Sequence, residues 1–519
     1  MALNQWLYEQ MNQMLSSSST FYLSLFFFIS FLYVFKLSRK TKSKTNLNLP
    51  PSPPKLPFIG NLHQLGELPH RSLRDLSLRY GDIMLLQLGQ MHTPTLVVSS
   101  VDVAMEITKT HDFAFSNRHQ NTAAKILFYG CADVVFSLYG ESWRQKRKIC
   151  VLELLSMKRV QSFHLSREEE VANLVNKIRE ACSRDPCYVN LSEMLTSTSI
   201  DIVSKCVLGG KYTGDGKSSV KELSRNVMVH LGAFTWRDYF PLLGWIDVLT
   251  GKIKEYKATS GALDALIDQA IEEHSTVKTE GDHSEKKDLV DILLQLEENS
   301  MHNNFELTRN DLKALLVDMI VAGTDTTAVT LEWAFSELAR NPTIMKKVQE
   351  EVRNIIGNKS NIKENDINQM HYLKCVVKET LRSHPPGPFL APRETISSVK
   401  LKGYDIPAKT MVYINAWAIQ RDPKFWKSAE EFLPERFENS ELDFKGQDCQ
   451  FIPFGFGRRG CPGINFGVTS IEYVLANLLY WFDWKLPESD TLKQDIDMGE
   501  IFGLVVSKKM PLHLKPIPF

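Results

Sequence analysis

FIPFGFGRRGCPG, Phe451 to Gly463, places Gly455, Gly457 and Gly460 in a formal G-x-G-x-x-G, with a cysteine one residue beyond. Two readings compete for it. A dinucleotide fingerprint needs a strand before the glycines, a helix after them, and enough chain beyond to complete a parallel sheet. QFIPF would serve as the strand and the apolar run after Gly463 as the helix, but the chain ends at Phe519, too soon for the remaining βαβ units. Cys461 and Pro462 also crowd the place where a pyrophosphate would meet the helix start. The other reading centres on Cys461. Glycines let the backbone approach a flat ligand closely, and a helix expected over Ile464 to Trp481 offers amide hydrogens that stabilise a thiolate. That is a metal-ligand environment.

The stretch also fits F-x-x-G-x-R-x-C-x-G, filled by Phe454, Gly457, Arg459, Cys461 and Gly463. In this it resembles the haem-binding loop of the cytochrome P-450 monooxygenases. The likeness runs through nearly the whole chain and is greatest to the plant microsomal group. It implies a mainly α fold with a minor antiparallel β part, one large catalytic domain behind an N-terminal membrane anchor, and haem b (iron protoporphyrin IX) as cofactor. By the resemblance Cys461 is the axial thiolate, Phe454 packs beside it, Arg459 meets a haem propionate, and Gly463 lets the backbone lie close to the cofactor.

AGTDTT, Ala322 to Thr327, interrupts the apolar run of the clearest helix, expected from Asp311 to Arg340, with Thr308 and Asp311 as capping box and Asn341-Pro342 as stop. Such a helix is about 45 Å long and crosses a whole domain. Gly323 in its interior costs about 1 kcal/mol against alanine, which some function should offset. Ala322 and Thr326 share a face, while Asp325 points about 100° away. A threonine bonding back to the Ala322 carbonyl is the plain structural alternative. The resemblance implies that Thr326 and Asp325 deliver protons during oxygen activation.

KETLR places Glu379 and Arg382 at i and i+3 on a helix ended by His384-Pro385-Pro386, and PERF supplies Arg436. Together they resemble the family's buried charge triad, with Ser383 standing where many relatives have leucine. WRQKR sets Trp143 and Arg147 on one helical face. The resemblance places both at the haem propionates, joined by Arg393 of APRE. Forked guanidinium donors suit two carboxylates on an apolar macrocycle.

Lys plus Arg equals Asp plus Glu at 61 each, so net charge gives no sign of nucleic acid as partner. Eight scattered cysteines include no C-x-x-C pair and no zinc-like spacing, which suits reduced thiols facing the cytosol. FYLSLFFFISFLYVF is followed at once by KLSRKTKSK, the reverse of a cleavable signal. The organisation expected is a lumenal N-terminus over 1–20, a transmembrane anchor over 21–37, a basic and proline-rich linker over 38–66, and the haem-thiolate domain over 67–519. An anchor of about 17 residues suits a thin bilayer, and the basic cluster stays in the cytosol. A single-pass protein of the endoplasmic reticulum membrane, its catalytic domain in the cytosol, follows. Sequons at Asn190 and Asn358 would then stay silent. Runs at Ile83 to Gly89 and Thr93 to Ser100 read as a hairpin, Lys400 to Ile414 as small antiparallel pairs, and Ser275 to Asp288 as an exposed loop.

Nothing in the chain resembles a flavin or nicotinamide domain. The resemblance therefore implies electrons from NADPH through a separate membrane-bound cytochrome P-450 reductase, with cytochrome b5 as a further donor. Lys146, Lys148 and Arg458 are the docking cations expected on the cysteine side. By resemblance the substrate pocket takes in Phe128, Ala322, Phe389 and Phe502. Its apolar walls favour a lipophilic small molecule, a plant specialised metabolite or xenobiotic, hydroxylated or oxidatively dealkylated. Two other uses of the loop stay open here: a haem-thiolate isomerase or dehydratase consuming no O2, and a haem-binding sensor or carrier.

Overall fold

The computed structural model describes residues 21–26, 28–30, 47–90, 94–183, 188–210, 219–279, 287–300, 306–359, 361–487 and 496–519. The chain divides into two compact units, one of Met1–Asn48 with Leu56–Phe58 and the other of Leu49–Lys55 with Ile59–Phe519. In the first unit, Phe21–Ser30 is a short apolar helix with exposed Phe21, Tyr22 and Phe26. The expected lumenal segment 1–20 and the anchor beyond Ser30 lie outside the described residues. Among those described, the helix long and apolar enough to cross a membrane is Arg309–Arg340, which is mostly buried and therefore a core element.

The second unit is mainly helical. Arg309–Arg340 runs through its core, capped by Thr308 as expected: the Thr308 hydroxyl accepts from Asp311 N and the Asp311 carboxylate accepts from Thr308 N. Buried residues lie on every side of this helix between Leu312 and Leu338, with Ala322 to Thr326 the more open stretch. Leu191–Leu208 packs closely on it at Gly323, where a Cβ would lie 3.3 Å from Val203. The cysteine loop feeds Ile464–Trp481, the helix expected there.

Five strands form the principal sheet: β1 (Ile83–Leu86), β2 (Thr95–Val98), β3 (Asn117–Arg118), β4 (Arg393–Glu394) and β5 (Met411–Ile414), in the order β1-β2-β5-β4-β3. The β1–β2 hairpin is antiparallel, as expected. Val399–Leu401 and Tyr404–Ile406 also pair antiparallel. β2 and β5 differ from the expectation and run parallel, since most of the helical body forms the crossover between them.

Two boundaries change. The proline-rich stretch is no free spacer from Leu49 onward: Pro51 O accepts Leu85 N at 2.9 Å and Asn61 N donates to Gln87 O at 2.6 Å. Extended, proline-rich backbone keeps its carbonyls free to complete a sheet edge. The stretch expected as a loop from Ser275 is helical as far as Thr279, since Lys252–Thr279 is one helix; residues 280–286 lie outside the described residues. Charged residues there extend an exposed helix, which polarity alone does not break.

Candidate functional site

The cysteine loop is closed by Cys461 N donating to Phe454 O at 2.8 Å. Gly455 and Gly457 turn it with φ of 72° and 62°. A second feature favours glycine at 457: a Cβ there would lie 2.4 Å from Asp112 Oδ1. Asp112 accepts Arg458 N at 3.1 Å and faces Arg393 at 3.5 Å. Cys461 Sγ accepts Gly463 N–H at 3.3 Å. Burial nevertheless raises the thiol pKa, opposed by the Gly463 amide and by Arg147. Desolvation favours the neutral thiol, and the Gly463 amide and Arg147 favour the thiolate.

Cys461 lines a cavity of about 310 Å³. Its walls include Phe454, Gly455 and Gly463 from the loop, Ala322, Gly323 and Thr326 from the central helix, and Phe128, Val134 and Phe136 from the segment before Trp143. Phe128 and Phe136 pack with ring centroids 5.4 Å apart. Phe389 and Phe502 lie in an adjoining space that shares Phe136, Leu231, Leu390 and Leu504 with the larger one. They line a neighbouring cavity of about 140 Å³, where Phe389 stacks on Tyr413 at 5.0 Å and meets Phe502 at 5.8 Å. The residue after Phe389, Leu390, reaches the larger cavity, its φ of 55° turning the chain between the two.

Trp143, Arg147, Arg393 and Arg459 all meet this cavity, together with Arg118. Arg118 is directly opposite Arg393 in the β3–β4 register. Like charges so placed repel. Burial first, then Arg459 and Arg393, push the Arg118 pKa well down. Burial likewise lowers Arg393 to about 10 and Arg459 to about 9. The Arg459 guanidinium lies 4.2 Å from the Trp143 ring centroid and donates to Ser116 O and Ser137 O, each at 2.6 Å. The Trp143 Nε1–H donates to Val134 O at 3.0 Å. Such a buried cationic cluster calls for an anion. Arg118 escaped the sequence reading because its strand partner, Arg393, is far along the chain and only strand pairing shows it.

The central helix continues unbroken through AGTDTT. The Thr326 hydroxyl donates to Ala322 O at 2.7 Å, the local bond anticipated as the plain alternative, and its oxygen remains on the cavity wall. Asp325 points away from that wall. Burial raises its carboxyl to about 6, with Arg225 opposing.

Glu379 and Arg382, both fully buried, form a forked pair at 2.7 and 2.9 Å, and Arg436 Nε reaches Glu379 at 3.0 Å. Ser383 joins this cluster, its hydroxyl accepting from Arg382 at 2.9 Å. Buried Gln420 ties it to the cysteine loop: its carbonyl accepts from Arg382, and its side-chain Oε1 accepts Ile452 N, each at 2.9 Å. Of the expected docking cations, Lys146 is withdrawn. It is buried and donates to Asp311 at 2.8 Å and to Ala132 O. Lys148 and Arg458 are exposed.

A model of the family Cytochrome P-450 matches residues 50–515. A phenylacetaldehyde oxime monooxygenase of Prunus mume is 50% identical over 98% of each chain. A strychnine-11-hydroxylase of Strychnos nux-vomica is 46% identical over 95% of this chain and 96% of its own. The zebra fish cytochrome P-450 solved with progesterone shares the fold, with TM-score 0.73 and 23% identity, over 87% of this chain and 99% of its own. The chain therefore belongs to the cytochrome P-450 family, as a haem-dependent monooxygenase related to plant enzymes of specialised metabolism.

Proposed function

We propose that the cavity bordered by Cys461 holds both haem b, with Cys461 as iron ligand, and the lipophilic molecule to be oxidised. The single observation that carries this is the pairing, on one cavity, of a cysteine sulfur that opens onto it with four arginines, 118, 147, 393 and 459, faced among the described residues by two acids, Asp112 and Asp133. Two propionates would supply counter-charge to Arg118, Arg147, Arg393 and Arg459, and the glycines at 455 and 463 leave room for a flat macrocycle. The donor set fits the cofactor. Bound there, thiolate-ligated haem supplies the activation of O2 and the insertion of one oxygen atom.

The rest is the work of the chain's own residues. Phe454 shields the sulfur side, and Trp143 backs Arg459 at the polar edge. Ala322 and Phe128 present apolar surface that orients a substrate and excludes water. Thr326 Oγ1 stands on the cavity wall able to relay a hydrogen bond, while Asp325, raised to about 6 by burial, holds a proton for part of the time near neutrality. Glu379, Arg382 and Arg436 hold the segment behind the loop in register. Electrons come from NADPH through a flavoprotein reductase, with cytochrome b5 as a second donor, docking where Lys148 and Arg458 are exposed. The apolar 21–37 segment anchors the enzyme in the endoplasmic reticulum membrane with this domain in the cytosol. The relatives' names favour plant nitrogenous or aromatic metabolites as substrates.

The test is the spectrum of the reduced protein under carbon monoxide, followed by turnover of lipophilic compounds with reductase present. A strongly red-shifted Soret band and product formation dependent on both O2 and NADPH are expected. A histidine-like band, or turnover indifferent to O2, refutes the reading.

A further inference from the structure

Asp318 lies on the central helix two turns before Thr326 and borders the large cavity. Asp133 comes from the segment that forms the cavity's side wall. Both are almost completely buried. Asp133 Oδ2 accepts Val135 N at 2.9 Å and Phe136 N at 2.7 Å, and Asp318 Oδ2 accepts Val134 N at 2.8 Å. Three successive amides of the wall thus end on two carboxyl groups. Val134 in turn offers its carbonyl to Trp143 Nε1 at 3.0 Å and to Arg459 Nη1 at 3.3 Å.

Asp133 Oδ1 is buried and meets no N–H or hydroxyl donor among the described residues. The two carboxyl groups take adjacent amides, Val134 N on Asp318 and Val135 N on Asp133, and the side chains interact with each other. Two interacting, buried carboxyl groups cannot both be ionised, so a proton between them satisfies the orphaned oxygen. The surroundings agree. Lys146, the charge that would favour double ionisation, is held by Asp311 and Ala132 O. The other facing groups are the Cys131 and Cys150 thiols and the Arg118 and Arg459 guanidinium groups, which the carbonyls of the same wall engage. Burial raises both carboxyl groups above the usual carboxylate range, Asp318 well above it.

We propose that Asp133 and Asp318 share one proton as a latch fixing residues 131–136 to the central helix, and that through Val134 they are positioning residues for Trp143 and Arg459. The second half rests on reading the cavity as the haem site; the latch itself does not. The sign of the pH effect follows from proton counting. A folded chain that retains a carboxyl proton which the unfolded chain releases loses stability as pH rises from the unfolded value towards the folded one. Asparagine at 318 keeps an N–H for Asp133 and an oxygen for Val134 N, and carries no such penalty.

The test melts the full-length holoprotein and its Asp318→Asn, Asp133→Asn and Asp318→Leu variants from about pH 6 to about pH 9, and follows haem transfer to apomyoglobin. Asp318→Asn is expected to gain melting temperature relative to the parent as pH rises. Asp318→Leu, which orphans Asp133 and Val134 N, should melt lower throughout and release haem about ten-fold faster, with Asn restoring retention. A melting difference for Asp318→Asn that is flat or falls with pH overturns the latch. If Asp318→Leu does not fold, Asp133→Asn carries the same pH criterion. A leucine variant that melts lower yet keeps haem as long as the parent overturns the positioning role and leaves the haem reading intact, whereas a parent without bound haem refutes that reading instead.

Discussion

Replacing Arg382 by methionine keeps most of the side-chain volume and removes the charge. Arg382 is fully buried, and its donors reach both oxygens of Glu379 and the carbonyls of Gln420, Ala429 and Glu431. The variant leaves Glu379 buried with Arg436 and the Leu433 amide as its remaining partners. Breaking such a pair from one side costs about 3–5 kcal/mol. The unit unfolds with an entropy of about 2 cal/mol/K per residue, or about 1 kcal/mol/K over its roughly 470 residues. The melting temperature should therefore fall by about 3–5 °C. Haem content should fall with it, because the Gln420 that loses its Arg382 partner also holds Ile452 in the cysteine loop. Arg436→Met, which leaves the forked pair intact, should lose less than about half as much. Circular dichroism melts and the carbon monoxide spectrum read both quantities. An Arg382→Met protein melting within about 1 °C of the parent, or an Arg436→Met protein melting lower still, would refute the view that this buried pair holds the loop in place.

Four shorter predictions complete the set. Thr326→Ala should keep consuming NADPH while product falls and hydrogen peroxide rises; unchanged coupling removes the proposed role. The pH profile of coupling should carry a limb near 6 from Asp325, flattened in Asp325→Asn, because its raised carboxyl is protonated below that pH and loses the proton above it. Gly457→Ala should lower haem content through about 1–2 kcal/mol of left-handed strain plus the clash with Asp112, and Asp112→Ala in the same chain should recover part of the loss. Phe128→Ala should alter substrate binding spectra, whereas Phe389→Ala, in the neighbouring cavity, should cost mainly stability, about 3–5 kcal/mol.

Local rules made much of this molecule readable. The central helix carries its cap and stop within a few residues of its ends, and both occur as expected. The Ile464–Trp481 helix and the β1–β2 hairpin are equally local, set by apolar periodicity and turn residues. Ser275–Thr279 misled because charge reports exposure and not backbone state. Lys146 misled for the opposite reason: a lysine in a basic run reads as solvated, yet Asp311, far along the chain, draws it inside.

The sequence by itself determined the family, the cysteine that borders the large cavity, and the helices that position it, because a cysteine loop of this pattern needs particular residues at short fixed spacing. Only the tertiary structure decided that Arg118 opposes Arg393, that Asp112 crowds Gly457, that Phe389 and Phe502 line the adjoining cavity, and that Asp133 and Asp318 take adjacent amides of one wall. Each of these joins segments distant in the chain. Their energies come from burial and charge in three dimensions, which spacing along the chain does not encode.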